Sequence, residues 1–268
     1  VKGVAPRDVI PSALILAVST KAGHVEGDAP VVRVPFVKLE GSAGFVPEGD
    51  AIPESSPQDT ERLVQTGKVA SLVPASLEQY GQEDAANLLT DALKLDLVRK
   101  ANRAFLAQPA PVAPAVTPPA GLIHQGLSTV SSSIVSSHSL DPLADAIAQI
   151  ENAGGEASHI LAHPLAWAEL VKLKVTTESN QSLLGAGTDT AVRQLLSLPV
   201  LVDRDVPQSS LIVLDKRAIL SAYGDVQIAT STDFKFDQDA ITVRATFRFG
   251  AVVSDVNRVV LVNVVDES

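Results

Sequence analysis

The clearest pattern lies near the end of the chain, where Ile241, Val243, Ala245, Phe247 and Phe249 alternate with Thr242, Arg244, Thr246 and Arg248. A period of two puts one set on each face of a sheet and predicts a half-buried strand. Residues 226–230 are its predicted partner, and the apolar run 259–265 suits a strand covered on both faces. Upstream, Val31-Val32-Arg33-Val34-Pro35-Phe36-Val37 reads as a strand. Its proline assigns it to an edge or a free ribbon, because proline gives no N–H to a central ladder. A loop rich in Gly, Pro, Ser and acid covers residues 40–59, and the chain returns as a strand-like run over 62–73. The two runs make a projecting hairpin with little core of its own, marginal in water without a partner to lie on.

Over residues 81–107 the period becomes helical. Ala85, Leu88, Ala92, Leu95, Val98, Ala101 and Phe105 recur at steps of three and four and predict the buried face. Glu83 and Asp84 near the start and Arg99, Lys100 and Arg103 near the end suit the helix dipole. The predicted rod is roughly 40 Å long. Pro109, Pro111, Pro114, Pro118 and Pro119 end it in an extended stretch. A serine-rich loop over 128–139 leads to a predicted helix over 141–150, with Asp141 as N-cap and Pro142 in its first turn. Short strands at 159–163, 198–202 and 211–214, with a helix from Pro164 to Leu173, complete a mixed α/β region. Residues 1–30 carry Gly3, Pro6, Pro11, Gly23, Gly27 and Pro30 with little periodicity and read as an extended arm holding one short apolar segment.

Composition narrows the chemistry. The chain has 268 residues and no cysteine, which removes disulfides, cysteine nucleophiles and thiolate metal sites. A formal net charge of −10 with no basic run argues against gripping nucleic acid by its phosphates, but not against enclosing it. No apolar stretch approaches the ~20 residues of a membrane span, and the apolar window 12–19 lacks the flanks of a secretory signal. A soluble intracellular protein is expected.

Candidate sites are weak. His159 and His163 have the spacing of a helical metal pair, but the pattern puts them on a strand and at its end, with no third ligand. Gly185-Ala186-Gly187 lacks the Lys-Ser/Thr of a phosphate loop, no Gly-x-Ser-x-Gly elbow occurs, and Asp203-Arg204-Asp205 reads as a solvated turn. No catalytic, cofactor or metal residues are assigned.

The order of arm, long hairpin, long helix, α/β region and terminal strands resembles the Hong Kong 97-type major capsid fold of tailed bacteriophages. Phe45-Val46-Pro47-Glu48-Gly49 followed by Pro53-Glu54-Ser55 looks like the tip of that family's extended loop, the E-loop. Lys68-Val69-Ala70 and Val73-Pro74-Ala75-Ser76 resemble its return strand and the start of its spine helix. Gly121-Leu122-Ile123, Ile160-Leu161-Ala162-His163-Pro164 with Trp167 and Leu170, and Leu198-Pro199-Val200 are similar to its later segments, so the resemblance runs over about residues 31–265.

The resemblance implies an α+β fold with an N-terminal arm at 1–30 and an E-loop at 31–70. A peripheral domain would comprise 71–108 and 225–255, and an apical domain 109–224 and 256–268. It implies a non-enzymatic virion shell protein without cofactor, assembled in the host cytoplasm as hexamers and pentamers. Such a shell encloses double-stranded DNA without reading its sequence, and leaves room for decoration, scaffolding and portal proteins. The tip residues Phe45, Val46, Pro47, Glu48, Gly49, Ile52, Pro53 and Glu54 would touch a neighbouring subunit. The prototype locks its shell with a lysine–asparagine isopeptide assisted by a glutamate. Those three positions correspond here to Ile52, Asp239 and Thr246, so a non-covalent shell is expected. Two alternatives are an encapsulin-type nanocompartment with the same fold and a soluble α/β hydrolase.

Overall fold

The computed structural model describes residues 2–38, 45–48, 58–76, 78, 85–174, 184, 193–235 and 239–265. The chain begins β1 (Lys2–Val4), α1 (Pro6–Val9), α2 (Leu14–Val18), β2 (Thr20–Gly23), β3 (Val31–Lys38), β4 (Gln58–Gln65), β5 (Gly67–Ser76) and α3 (Ala85–Ala107). It continues β6 (Ser128–Val130), α4 (Ile134–Ser137), α5 (Asp141–Asn152), β7 (His159–Ala162), α6 (Pro164–Lys172), β8 (Gln194–Leu195) and β9 (Leu198–Val202). It ends β10 (Ser210–Leu214), β11 (Ile219–Tyr223), β12 (Val226–Lys235), β13 (Ala240–Val253) and β14 (Val259–Asn263).

The alternating run becomes β13, 14 residues long. One edge of β13 pairs antiparallel with β5 along its first ten residues. β12 and then β11 also pair antiparallel with it, with Gln227 opposite Thr246 and Tyr223 opposite Phe249. β1 extends this sheet beyond β12, and β2 extends it beyond β11. The odd-numbered residues of β13 face α3, and Phe247 is fully buried with its ring stacked 5.1 Å from Phe249. β11, expected within the apical region ending at residue 224, therefore belongs to the sheet built on β13.

The second sheet has the order β6-β14-β10-β7-β9-β8. Leu161, Ile212, Leu214 and Val259 on one face join the core that contains α3 and β13. Ile160, Leu211, Val213, Val260 and Val262 on the other face pack with α5 and α6 through Leu143, Ile150, Ala166 and Leu170. Burial on both faces explains why these strands read as continuous apolar runs.

Four local expectations change. Residues 1–30 are not a free extended arm. Val9, Ile10, Ala13, Leu14, Ile15 and Val18 are buried in the chain's own core, and β1 and β2 are paired strands. These helices have four and five residues, too few for a helical period to show in the sequence. Second, the return run splits at Thr66: β4 pairs with β3, whereas β5 leaves the hairpin for β13. At this corner the Thr66 N–H donates to the Pro30 carbonyl at 2.8 Å, and a Cβ on Gly250 would stand 1.9 Å from the Gln65 carbonyl oxygen. Only a residue without a side chain lets the corner lie on β13.

Third, the buried stripe of α3 is Leu93, Leu97, Ala101 and Phe105 with Leu106, while Leu88 and Leu95 from the expected face are exposed. Apolar residues surround the helix between 88 and 98, so spacing alone left its phase open; tertiary packing chose it. Fourth, Asp141 is the first residue of α5, not its cap, and its N–H donates to Ser139 Oγ at 3.0 Å. The serine-rich loop also contains β6 and α4.

Two side chains tie α3 down. Asn102 is buried; its Oδ1 accepts from Leu14 N–H at 2.9 Å and its Nδ2 donates to Asp203 Oδ2 at 2.8 Å, joining α2, α3 and the loop after β9. Ser71 Oγ of β5 donates to Asp96 Oδ2 of α3 at 2.5 Å. That hydrogen bond, followed by the one from Lys100, holds the Asp96 carboxyl below its ordinary pKa.

Two outcomes follow. Phe247→Ala is expected to cost about 3–5 kcal/mol in denaturant unfolding, from lost burial and the cavity left behind. Ser71→Ala is expected to cost about 1 kcal/mol at neutral pH, discounted for the partial exposure of Asp96. A carboxylate with a lowered folded-state pKa stabilises above its unfolded pKa and loses that contribution as pH falls through the folded value. The difference between Ser71→Ala and the parent should therefore shrink when unfolding is measured below the ordinary carboxylate range.

Candidate assembly surface

The β3–β4 hairpin has an inner and an outer side. Val34 and Val64 turn inward onto Val25, Leu220 and Ala222, a small cluster that roots the hairpin. On the outer side Leu63 is exposed beside Arg33, which pairs with Glu61 at 3.2 Å. Both members of that ion pair are largely in water, so it contributes little.

Towards the tip, Phe45 is completely exposed at 108%, Pro47 and Glu48 are exposed, and Val46 is partly covered. Burying a phenylalanine is worth about 1.5–3 kcal/mol, and none of it is realised at Phe45 in the single chain. Gly49, Ile52, Pro53 and Glu54 lie outside the described residues. From Glu40 through Glu61 the sequence holds Glu40, Glu48, Asp50, Glu54, Asp59 and Glu61 and neither lysine nor arginine. The tip is acidic and apolar together.

Asp239 stands exposed just before β13 with φ 47°, a left-handed conformation that aspartate tolerates better than most residues. Thr246 lies mid-strand, half-buried between Ala70 of β5 and Gln227 of β12. Asp239 carries a carboxylate and not a carboxamide, and Thr246 carries a hydroxyl and not a carboxylate.

Thr246 sits on the sheet face opposite α3. Register places Lys68, Ala70, Leu72 and Pro74 of β5 beside Arg248, Thr246, Arg244 and Thr242 of β13 on that face. Lys68 and Arg244 are exposed, and neither forms an ion pair among the described residues. Arg248 is mostly covered and pairs with Asp28 at 3.0 Å. Leu72, directly opposite Arg244, is 53% exposed. The alternation of residues 241–249 foretold two faces to β13, but only the pairing with β5 adds Lys68 and Leu72 to one of them.

The weaker sequence candidates resolve into structural roles. His163 Nδ1 accepts from Leu165 N–H at 3.1 Å and caps α6. His159 Nδ1 lies 3.1 Å from Ser158 Oγ, and burial, with Lys216 nearby, pushes its pKa down. No group of three metal-ligating side chains occurs among the described residues. Gly185, Ala186 and Gly187 lie outside them. Asp203-Arg204-Asp205 is more than a solvated turn. Asp203 receives Asn102 and, at 2.9 Å, the Asp205 N–H, while desolvation and then the Asp203 charge raise the Asp205 pKa. No helix among the described residues is long and apolar enough to cross a membrane.

Comparison with known proteins places this geometry. The model of the phage capsid family matches residues 16–264. No curated protein matches the chain. A solved chain from Gordonia phage Cozz is similar over 95% of this chain and 87% of its own, with TM-score 0.71 and 19% identity. A chain from the capsid of an empty GTA particle is similar over 99% and 93%, with TM-score 0.69 and 16% identity. A chain from Microbacterium phage Oxtober96 is similar over 98% and 92%, with TM-score 0.67 and 13% identity. At these identities the likeness concerns the fold.

Proposed function

Because the chain belongs to the phage capsid family and is a major capsid protein of the virion, we propose that it closes its shell by packing alone, with the E-loop tip lying on a neighbouring copy. The family builds homo-oligomeric shells, and the rest follows from the chemistry of the residues. An isopeptide lock needs an amine, a carboxamide and a base. The corresponding positions are Ile52, Asp239 and Thr246. The observation that carries the reading is Phe45, wholly exposed on an acidic tip, whereas Phe105, Tyr223, Phe247 and Phe249 are buried.

In this reading hexamers and pentamers form in the host cytoplasm and enclose double-stranded DNA. The net charge of −10 lets that DNA slide along a wall that does not hold its phosphates. Scaffolding, portal and decoration proteins would join the same assembly, and the chain itself performs no catalysis. The family match does not favour the nanocompartment or hydrolase alternatives.

Electron micrographs of the expressed chain should show closed shells, and purified particles should contain nucleic acid. On denaturing gels mature particles should run as the monomer. A ladder of higher bands would contradict the non-covalent shell, and a monomer of constant mass in solution would contradict self-assembly.

A further inference from the structure

From Ala104 to Leu140 the chain contains no Asp, Glu, Lys or Arg, its longest such run, although 19% of its residues are charged. Within that run the proline-rich loop over residues 109–118, which follows α3, is exposed at every position but Pro111. We infer that this loop is a contact between copies, buried in the shell against an uncharged surface of a second subunit. The inference rests on the shell reading above and adds to it a contact outside the hairpin.

Three observations converge on the loop. The first is its surface. Val112 is 85% exposed and Val116 48%, and the residues around them are Pro and Ala with Thr117 as the one polar side chain. A single exposed valine means little, but a continuous exposed stretch without charge has the composition of the centre of a protein interface, where charged residues are depleted.

The second observation is that the loop is held in shape before it meets anything. Gly121 N–H donates to the Gln108 carbonyl at 2.8 Å and closes its base, and Ala115 N–H donates to the Val112 carbonyl at 3.0 Å and turns its tip. Pro109, Pro111, Pro114 and Pro118 fix φ along it, so little entropy remains to be lost on binding. The same prolines carry no N–H, which keeps the loop from extending a sheet edge. It therefore meets its partner through side chains.

The third observation, the charge of the whole chain, selects the partner. Copies with a net charge of −10 repel one another. A contact made of uncharged residues adds no like-charge pair and takes no ion out of water. A basic partner would be met through carboxylates, and this loop has none. Its place in the fold agrees: a Cβ on Gly67 would stand 2.8 Å from Pro119 Cδ, so the loop ends against the first residue of β5, beside the root of the hairpin.

The test introduces charge of both signs. Val112→Glu/Val116→Glu and Val112→Lys/Val116→Lys change exposed positions, so the unassembled chains should melt like the parent. Both should lower shell yield by about tenfold or more, because either sign would be buried unpaired. Loss with glutamate alone would reflect only added repulsion between copies. Parental yield from either variant overturns the contact and leaves the shell reading standing. A second arm alters the chain only after it has folded. The chain has no cysteine, so Val112→Cys can be conjugated to a bulky maleimide at that one site and mixed with unmodified chain for assembly. The conjugate should be depleted several-fold in the shells relative to the mixture, and an equal share in both overturns the contact. An unmodified chain that forms no shells overturns the shell reading with it.

Discussion

The pairing of β13 on both edges is the constraint on which the rest of the structure depends. A strand of 14 residues spans roughly 46 Å and must find partners for its backbone along that length. One edge takes β5 as a continuous partner. The other takes β12 and then β11, two strands interrupted at Gly224 and Asp225, across which the register against β13 shifts by one residue. The side chains on the inner face then define the bed for α3, with Phe247 at its centre. Every other feature of this half of the molecule is fitted to that ladder. The corner at Thr66 can rest against it because residue 250 is glycine, and the N-terminal segment adds β1 and β2 to its flanks.

This arrangement separates the parts of the chain that are satisfied internally from those that are not. The core around α3 is shared with one face of the second sheet, and Asn102 joins α2, α3 and the loop after β9 with hydrogen bonds at both ends of its amide. Among the described residues the hairpin is tied to the body at its root and by Arg62, which donates to the Ser254 carbonyl at 3.3 Å. Its root is buried by a few small aliphatic side chains, and beyond the root it offers an exposed aromatic and a run of carboxylates. A hairpin that leaves an aromatic side chain uncovered in the single chain suits a shell protein of the phage capsid family, whose copies pack against one another.

The sequence revealed those elements whose environment is the same on each face along their length. β13 alternates because one face meets α3 and the other does not, and β7, β10 and β14 each hold a continuous apolar run because both faces are covered. The hairpin and the helix at 85–107 were equally legible as elements. What stayed hidden depended on partners distant in sequence. The phase of α3 was set by packing because apolar residues surround it between 88 and 98. The split of residues 62–73 into β4 and β5 leaves no mark, since the same alternating residues serve either partner. The burial of residues 6–18 was missed because Gly and Pro punctuate a segment of short helices, and that punctuation resembles an arm. Among the candidate site residues, Phe45 and Glu48 were named by resemblance to the family's loop. The strip of Lys68, Leu72 and Arg244 could not be found that way, because it exists only once β5 lies beside β13.

The central claim is that the chain's own core is complete before assembly while the hairpin is completed by a neighbour. Hydrogen–deuterium exchange of the chain before and after shell formation tests it most directly. The account predicts that residues 6–18 and β13 are already protected in the unassembled chain, and that the new protection on assembly falls on the hairpin between residues 31 and 65. New protection at residues 6–18 with none at the hairpin would contradict it, because the N-terminal segment would then be the part that neighbours complete.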